Sequence, residues 1–71
     1  MATEVESQIA GKVWKIETEL GARIEVEDVL IILESMKMEV PVEAPCAGRV
    51  AEIRVQEGEN IEEGAILAVI D

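Results

Sequence analysis

Apolar and polar residues alternate along two stretches of this chain, one beginning after Gly11 and the other after Gly48. Successive side chains of a β-strand point to opposite faces, so alternation with a period of two predicts a strand with one buried face. Most of the intervening positions are charged, and we expect them to face solvent. The residues predicted to face inward are Trp14, Ile16 and Thr18 in the first stretch and Ala51, Ile53 and Val55 in the second.

Two five-residue apolar runs, 29–33 and 66–70, follow these stretches. Continuous apolar runs of this length are typical of strands that are buried on both faces. A helix over 26–38 is the competing interpretation, because four apolar residues in it keep helical spacing. The corresponding second run lies between Gly64 and Asp71, which is too short a segment for an ordinary helix. The pattern therefore favours strands.

The second half of the chain repeats the first at a distance of 37 positions. When 10–34 is aligned with 47–71, eight of the 25 pairs are identical and nothing is inserted or deleted. Such a repeat indicates two copies of one unit that bury their apolar faces against each other. We therefore predict one all-β domain over 1–71, a flattened barrel or sandwich with approximate two-fold symmetry. The identical pairs are Ala10/Ala47, Gly11/Gly48, Val13/Val50, Ile16/Ile53, Gly21/Gly58, Ile24/Ile61, Glu25/Glu62 and Leu30/Leu67.

The composition restricts the kind of function. Hydrophobic residues make up 49% of the chain and are almost all aliphatic, with Trp14 as the only aromatic residue. The net charge of −10 argues against binding to nucleic acids or anionic membranes, since contacts with phosphate need clustered lysine and arginine. The absence of histidine argues against a metal site and against Ser-His or Cys-His nucleophiles. A domain that is not itself an enzyme is favoured.

Cysteine usage predicts a reducing, cytoplasmic location, because Cys46 is the only cysteine and no disulfide can form within the chain. The first residues lack the basic and apolar segments of a signal peptide, and no apolar run is long enough to span a bilayer. We interpret Cys46 as a small apolar filler. Five glycines are assigned to turns: Gly11, Gly21, Gly48, Gly58 and Gly64.

The segment that joins the two halves, 34–45, is unique and is the place to look for function. Alternation after Met38 predicts another strand, so Met36 and Lys37 would form the tip of a hairpin. Two-residue hairpin turns favour Asn-Gly or Asp-Gly, because both central residues can need positive φ. Met-Lys is poor by that standard, and unfavourable local chemistry at an exposed tip is a candidate for function. The alternative is an ordinary solvated lysine between methionines that fill packing gaps.

These residues resemble a known family. The segment 34–39, Glu-Ser-Met-Lys-Met-Glu, resembles the biotin-attachment signature of the biotinyl/lipoyl domain family, in which a Met-Lys-Met hairpin presents the modified lysine. The segments 44–50 and 55–67 resemble the family's continuation after that hairpin and its glycine-punctuated ending. The resemblance implies two four-stranded antiparallel sheets with internal two-fold symmetry, and covalent biotin on Lys37.

Three departures from the family pattern are present. Ser35 stands where many biotin domains have alanine, a change between small residues that should be tolerated. Glu27 occupies the position matched by Gly64 in the second half, so we expect a less relaxed first turn. No extra residues lie between Trp14 and Ile24, so the protruding thumb of some acetyl-CoA carboxylase carriers is absent. The resemblance is therefore to thumbless carriers, either stand-alone attachment proteins or terminal domains of larger carboxylases.

The function implied by the resemblance is that of a biotin carboxyl carrier, with three enzymes as partners. A biotin protein ligase would biotinylate Lys37, and the biotin would then shuttle a carboxyl group between a biotin carboxylase and a carboxyltransferase. Met36 and Met38 are assigned to recognition by the ligase. Further candidates for recognition are Glu34, Ser35 and Glu39. We expect the isolated domain to be monomeric.

A lipoyl carrier on the same fold is the alternative function. Lipoyl domains tend to place Asp-Lys-Ala at the hairpin tip, whereas 36–38 of this chain read Met-Lys-Met. Stand-alone members of the family leave modification by both groups open. A second alternative is an interaction module of the kind found in membrane-fusion adaptors, but those carry a helical hairpin between the halves, for which this chain has no room.

Overall fold

A computed structural model describes residues 2–71 of the chain, and every regular element in that range is a β-strand. The competing helix over 26–38 is therefore absent, and the all-β prediction is confirmed. The strands are β1 (Thr3–Glu6), β2 (Gly11–Ile16), β3 (Arg23–Ile24), β4 (Val29–Ser35), β5 (Met38–Glu43), β6 (Gly48–Ile53), β7 (Asn60–Ile61) and β8 (Ile66–Ile70).

The strands form two four-stranded sheets in which every pairing is antiparallel. One sheet has the order β5-β4-β2-β7 and is called the hairpin sheet; the other has the order β1-β8-β6-β3 and is called the terminal sheet. Adding 37 to the residue numbers of β2 and β3 gives the bounds of β6 and β7. Exchanging β1 with β5, β2 with β6, β3 with β7 and β4 with β8 converts one strand order into the other. The predicted two-fold symmetry is thereby confirmed.

The core between the sheets is aliphatic and draws on both repeats. Burying one such side chain contributes roughly 1.5–3 kcal/mol, so this cluster is the main favourable term in folding. Cys46 packs at its edge as a partly buried residue, consistent with its interpretation as filler. The core members with no exposed surface are Val13, Leu30, Ile31, Leu33, Leu67 and Ala68.

The predicted inward face was wrong at Trp14 and Ala51. Trp14 is 48% exposed and Ala51 is exposed, whereas Val13 is fully buried and Val50 nearly so. Each of these strands contains a register shift, between residues 13 and 15 in β2 and between residues 50 and 52 in β6. A β-bulge inserts one residue into a strand and redirects the side chains beside it, so strict alternation does not continue through it.

Burial on both faces holds for four of the five residues of the second apolar run, in which Ile66 is half-buried, and only partly for the first run. Residues 67–70 are all buried, whereas Val29 is 39% exposed at the start of β4 and Ile32 is half-buried. Turn roles hold for Gly21, Gly58 and Gly64, which have φ of 82°, 91° and 90°. They do not hold for Gly11 and Gly48, which begin β2 and β6. A Cβ atom on Gly11 would lie 2.7 Å from the carbonyl oxygen of Glu34, so glycine is needed there for close packing of strands.

Glu27 stands in a turn where the second repeat has Gly64, and its φ is 74°. The left-handed region costs a residue with a side chain roughly 1–2 kcal/mol, which exceeds the entropic cost of glycine. We expect Glu27→Gly to raise the free energy of unfolding by about 0.5–1 kcal/mol, measured by urea denaturation. The matched control is Glu25→Gly in the same turn, at a position without positive φ, which should lower it instead. A destabilised Glu27→Gly variant would contradict the argument.

Candidate functional site

The joining segment forms a hairpin between β4 and β5, as predicted. Ser35 pairs with Met38, which leaves only Met36 and Lys37 as the turn. Their φ values are 52° and 65°, so both central residues lie in the left-handed region. Positive φ at both positions is the requirement of the type I′ turn, which matches the twist of the flanking strands. The turn therefore has the geometry of an Asn-Gly hairpin without the residues that adopt it most easily.

The strands below the tip impose this turn. Leu33 is fully buried and pairs with Val40 on β5, and β4 itself lies between β5 and β2. Left-handed residues other than glycine persist where the surrounding structure over-determines them, and they concentrate at functional sites. A hairpin held by its register can present side chains that the turn alone would disfavour. The cost of the turn thus points to a role for the side chains of Met36 and Lys37.

All three residues of the Met-Lys-Met tip are exposed. Met36 is 92% exposed and Met38 is 65% exposed. Lys37 is also exposed, and within residues 2–71 no salt bridge or side-chain hydrogen bond involves it. The alternative in which the methionines fill packing gaps therefore does not apply to Met36. The tip offers a primary amine between two apolar side chains, all accessible to a visiting protein.

The candidate residues beside the tip differ in their surroundings. Glu34 and Glu39 lie directly opposite each other on β4 and β5, and both are exposed. Like charges in such a pair repel, so the pair does not stabilise the hairpin. Lys12 on β2 faces Glu34 from the other side. Ser35 is half-buried, and its Cβ lies 3.5 Å from where a Cβ of Gly11 would be, which is an ordinary van der Waals distance.

The family model described as "Biotin-requiring enzyme" matches residues 1–70. That match covers nearly the whole chain, including the hairpin. The chain belongs to the biotin/lipoyl attachment family. This match to the family model agrees with the two-fold sandwich, the exposed lysine tip and the resemblance of the hairpin sequence to the family.

Two relatives within the biotin/lipoyl attachment family are similar over nearly their whole length. The biotin/lipoyl attachment protein of Bacillus subtilis is 43% identical over 63 residues, which are 89% of this chain and 86% of that protein. A biotinylated protein of Mycobacterium leprae, the TB7.3 homolog, is 43% identical over 70 residues, 99% of each chain. These matches confirm the prediction of a non-catalytic carrier with biotin as its covalent cofactor.

One solved structure and one further relative by sequence are carboxylases that this chain matches over a small part of their length. The urea carboxylase of Kluyveromyces lactis matches with a TM-score of 0.95 and 35% identity, over 100% of this chain and 6% of that one. Pyruvate carboxylase of Bacillus subtilis is 35% identical over 69 residues, which are 97% of this chain and 6% of the enzyme. The chain therefore corresponds to the carrier portion of such enzymes and spans only a small part of their length.

Residues 2–71 lack two features that would indicate other functions. No group of three or more potential metal ligands is brought together there. Nor does any helix in that range have the length and apolarity to cross a membrane.

Alternation in the sequence missed two features near the site: the glycine that packs against the base of the hairpin, and the exposed position of Trp14. The sequence signal for both was the repeat, in which Gly11/Gly48 and Val13/Val50 are identical while Trp14/Ala51 are not.

Proposed function

We propose that Lys37 is the residue that carries biotin. The observation that supports this most directly is the exposure of its amine at the tip of a type I′ turn, in a chain of the biotin/lipoyl attachment family. An amide bond to the lysine side chain would place biotin at the end of a long, mobile arm. The rigid sandwich below the hairpin would hold the base of that arm while biotin reaches a partner enzyme. Of the three lysines, Lys12 and Lys15 lie within β2 and only Lys37 stands at a turn.

The acylation step requires a partner enzyme. The ammonium of Lys37 must lose a proton before its Nζ can form an amide bond with an activated acyl carbon. The chain has no histidine, and no side chain within residues 2–71 is hydrogen-bonded to Lys37 to take that proton. We therefore assign both the base and the activated donor, biotinyl-adenylate, to a biotin protein ligase, with AMP as the leaving group.

The domain then acts by tethering. Attached biotin carries a carboxyl group from a biotin carboxylase to a carboxyltransferase, and the protein raises its local concentration at both active sites. The similarity to portions of pyruvate carboxylase and urea carboxylase supports these two partners. We also propose a cytoplasmic location, where the single Cys46 stays reduced, and a monomer, since the charge of −10 makes copies of the domain repel each other.

Met36 and Met38 serve recognition in this proposal. Burial of exposed apolar side chains by a partner stabilises the complex, and the flexible side chain of methionine adapts to irregular pockets. The ligase must select one lysine among three, and only Lys37 stands at a turn between two exposed methionines. The exposed pair Glu34 and Glu39 would meet basic residues of the ligase, because their mutual repulsion is relieved by a cation.

Met36→Ala should slow biotinylation and leave the fold intact. Alanine and methionine have similar difficulty with positive φ, so the substitution removes contact area but not the turn. Burial of a methionine contributes about 1.5 kcal/mol, so we expect kcat/KM of the ligase for this substrate to fall roughly tenfold. The matched control is Leu20→Ala, which removes a similarly exposed apolar side chain away from the hairpin and should label at the normal rate. A normal rate for Met36→Ala would reject the recognition role.

A second candidate function, lipoylation of Lys37, is favoured by one observation. The similar Bacillus subtilis protein is named as a biotin/lipoyl attachment protein. Intact-mass measurement of the chain purified from its own host, followed by peptide mapping, separates the two modifications and locates the modified residue. Biotin on Lys37 is the expected result. Lipoate alone would replace the carboxyl-carrier function, and an unmodified Lys37 would reject both.

A further inference from the structure

We propose that an apolar strip on the outer face of the hairpin sheet is a resting site for the ring of biotin carried on Lys37. The strip consists of Trp14, Ile32 and Pro41 and is called the Trp14 strip. This inference rests on the proposed attachment at Lys37. The ligand class is a neutral, largely apolar bicyclic ring on a tether, which binds within the same molecule.

The register places the three residues side by side. Ile32 on β4 pairs with Pro41 on β5 and with Lys15 on β2, next to the bulge residue Trp14. The next residue along β4, Leu33, is fully buried. Successive side chains of a strand point to opposite faces, so Ile32 points to the outer face. Trp14 is 48% exposed, Pro41 is exposed and Ile32 is half-buried. The bulge therefore brings the only aromatic side chain of the protein onto an open surface.

The terminal sheet has no such strip, although the two halves share one backbone plan. A feature that the fold itself required would be expected in both halves. The difference is confined to side chains, and it coincides with the difference in function: only the half with the strip carries the lysine hairpin. The residues related by 37 positions are Ala51 for Trp14, Val69 for Ile32 and Glu4 for Pro41.

Charged side chains occupy the corresponding face of the terminal sheet. Arg54 donates a hydrogen bond from Nε to Glu52 at 2.8 Å, and its Nη1 lies 3.8 Å from the carboxylate of Glu4. Val69 beneath them is only 4% exposed. The hairpin sheet carries the related ion pair, with Nζ of Lys15 3.7 Å from Oε1 of Glu17, but it has Pro41 where the terminal sheet has Glu4. The two outer faces therefore differ in Trp14 and Pro41, which add apolar surface only to the hairpin sheet.

The tether is long enough to reach the strip. Trp14 lies level with the middle of β4, about three residues below the tip, so the separation along the strands is roughly 10 Å, with one or two strand spacings of about 5 Å across. The arm from the Cα atom of Lys37 to the ring contains roughly ten single bonds of about 1.5 Å, which extend to about 13 Å. The two components combine to about 11–14 Å, a distance that the arm and the ring at its end span together, so the ring can lie against Trp14.

The chemistry of the strip fits a neutral ring. Aromatic and aliphatic side chains attract a flat apolar group, and sulfur of a thioether ring makes favourable contacts with an indole. The tether supplies an effective concentration in the millimolar range, so a weak site is occupied for part of the time without holding the ring against an enzyme. Such a site shields the ring from water between visits and releases it to a partner's active site.

The single tryptophan makes the test direct. The chain is prepared with Lys37 unmodified and fully biotinylated, each state verified by intact mass, and quenching of Trp14 fluorescence by acrylamide is measured. We expect the Stern–Volmer constant to fall to about half on biotinylation, as for a tethered ligand near half-occupancy. The single indole N–H resonance in a proton–nitrogen spectrum should shift as well. A chain with acetyl-lysine at position 37, which has the neutral amide but no ring, should behave as the unmodified chain.

A matched variant moves the aromatic residue to the other half. In Trp14→Ala/Ala51→Trp the tryptophan occupies the equivalent position of the terminal sheet, and biotinylation should leave its quenching unchanged. Equal quenching of the wild-type forms, with biotin verified on Lys37, overturns this inference alone. Quenching that responds only to an added biotin carboxylase also overturns it, in favour of a surface for that enzyme. Absence of biotin from Lys37 overturns the proposed function and this inference together.

Discussion

Lys37→Arg is expected to abolish biotinylation completely, with incorporation at the background of a reaction without ligase. Arginine keeps the positive charge and much of the length of lysine, so the exposed tip and the fold should be unchanged. Its guanidinium stays protonated and delocalised, so it does not serve as the nucleophile for an acyl group. The measurement is streptavidin blotting and intact mass after incubation with biotin protein ligase, biotin and ATP.

The other two lysines provide matched controls for this experiment. Lys12 is paired with Glu34 on the neighbouring strand, and Nζ of Lys15 lies 3.7 Å from Oε1 of Glu17. Both lysines therefore belong to the hairpin sheet and have acidic neighbours. Lys12→Arg and Lys15→Arg should each retain full incorporation, because neither stands at the hairpin tip. Incorporation that persists in Lys37→Arg, or that disappears in Lys12→Arg, would place the attachment site elsewhere in the chain.

Most of the longer strands were predictable from the sequence, because each half of the chain can be compared with the other. An apolar run such as 29–33 is ambiguous between helix and strand by itself, but its repeat at 66–70 lacked the length for a helix. The repeat also pairs Ile24 with Ile61, and each of these residues lies in a two-residue strand, β3 or β7, that the pattern alone did not predict. Two copies of one unit thus removed an ambiguity that local propensity leaves open.

Bulges and close approaches were not predictable from alternation. The extra residue of a bulge has no partner in the ladder, so the period of two gives no indication of which residue is displaced. The alternation of Trp14, Ile16 and Thr18 placed Trp14 inside, whereas Val13 fills the core and is the identical residue in the repeat. Gly11 likewise looks like a turn residue in sequence, since the carbonyl of Glu34 that excludes a Cβ belongs to a different strand.

The site was predictable in position but not in chemistry. The location of Met36 and Lys37 between two repeats, with strand patterns on both sides, predicted the exposed hairpin that the structure contains. An exposed amine accepts many acyl groups, so nothing in its residue type distinguishes biotin from lipoate. That distinction came from resemblance of the hairpin sequence to a family and from the similarity of whole chains. Attachment at Lys37 is a prediction that the arginine variant tests.

Gly48→Ala is expected to cause the largest loss of stability among glycine substitutions in this fold. A Cβ on Gly48 would lie 2.8 Å from Cγ2 of Ile70 and 2.9 Å from the carbonyl oxygen of Asp71, and its φ of 156° is one that alanine rarely adopts. Overpacking and backbone strain each cost about 1–3 kcal/mol, so the free energy of unfolding should fall by about 3 kcal/mol.

Such a loss is a large fraction of the stability of a 71-residue domain, and part of the population should be unfolded at 37 °C. The control Gly58→Ala separates the two causes, because Gly58 has a φ of 91° but no atom within 4 Å of the added Cβ. It should lose only about 1–2 kcal/mol, the cost of the left-handed backbone alone. Urea denaturation of both variants measures the difference. Equal losses would mean that the contact of β6 with the end of β8 tolerates a methyl group, and that the close approach is not what requires glycine there.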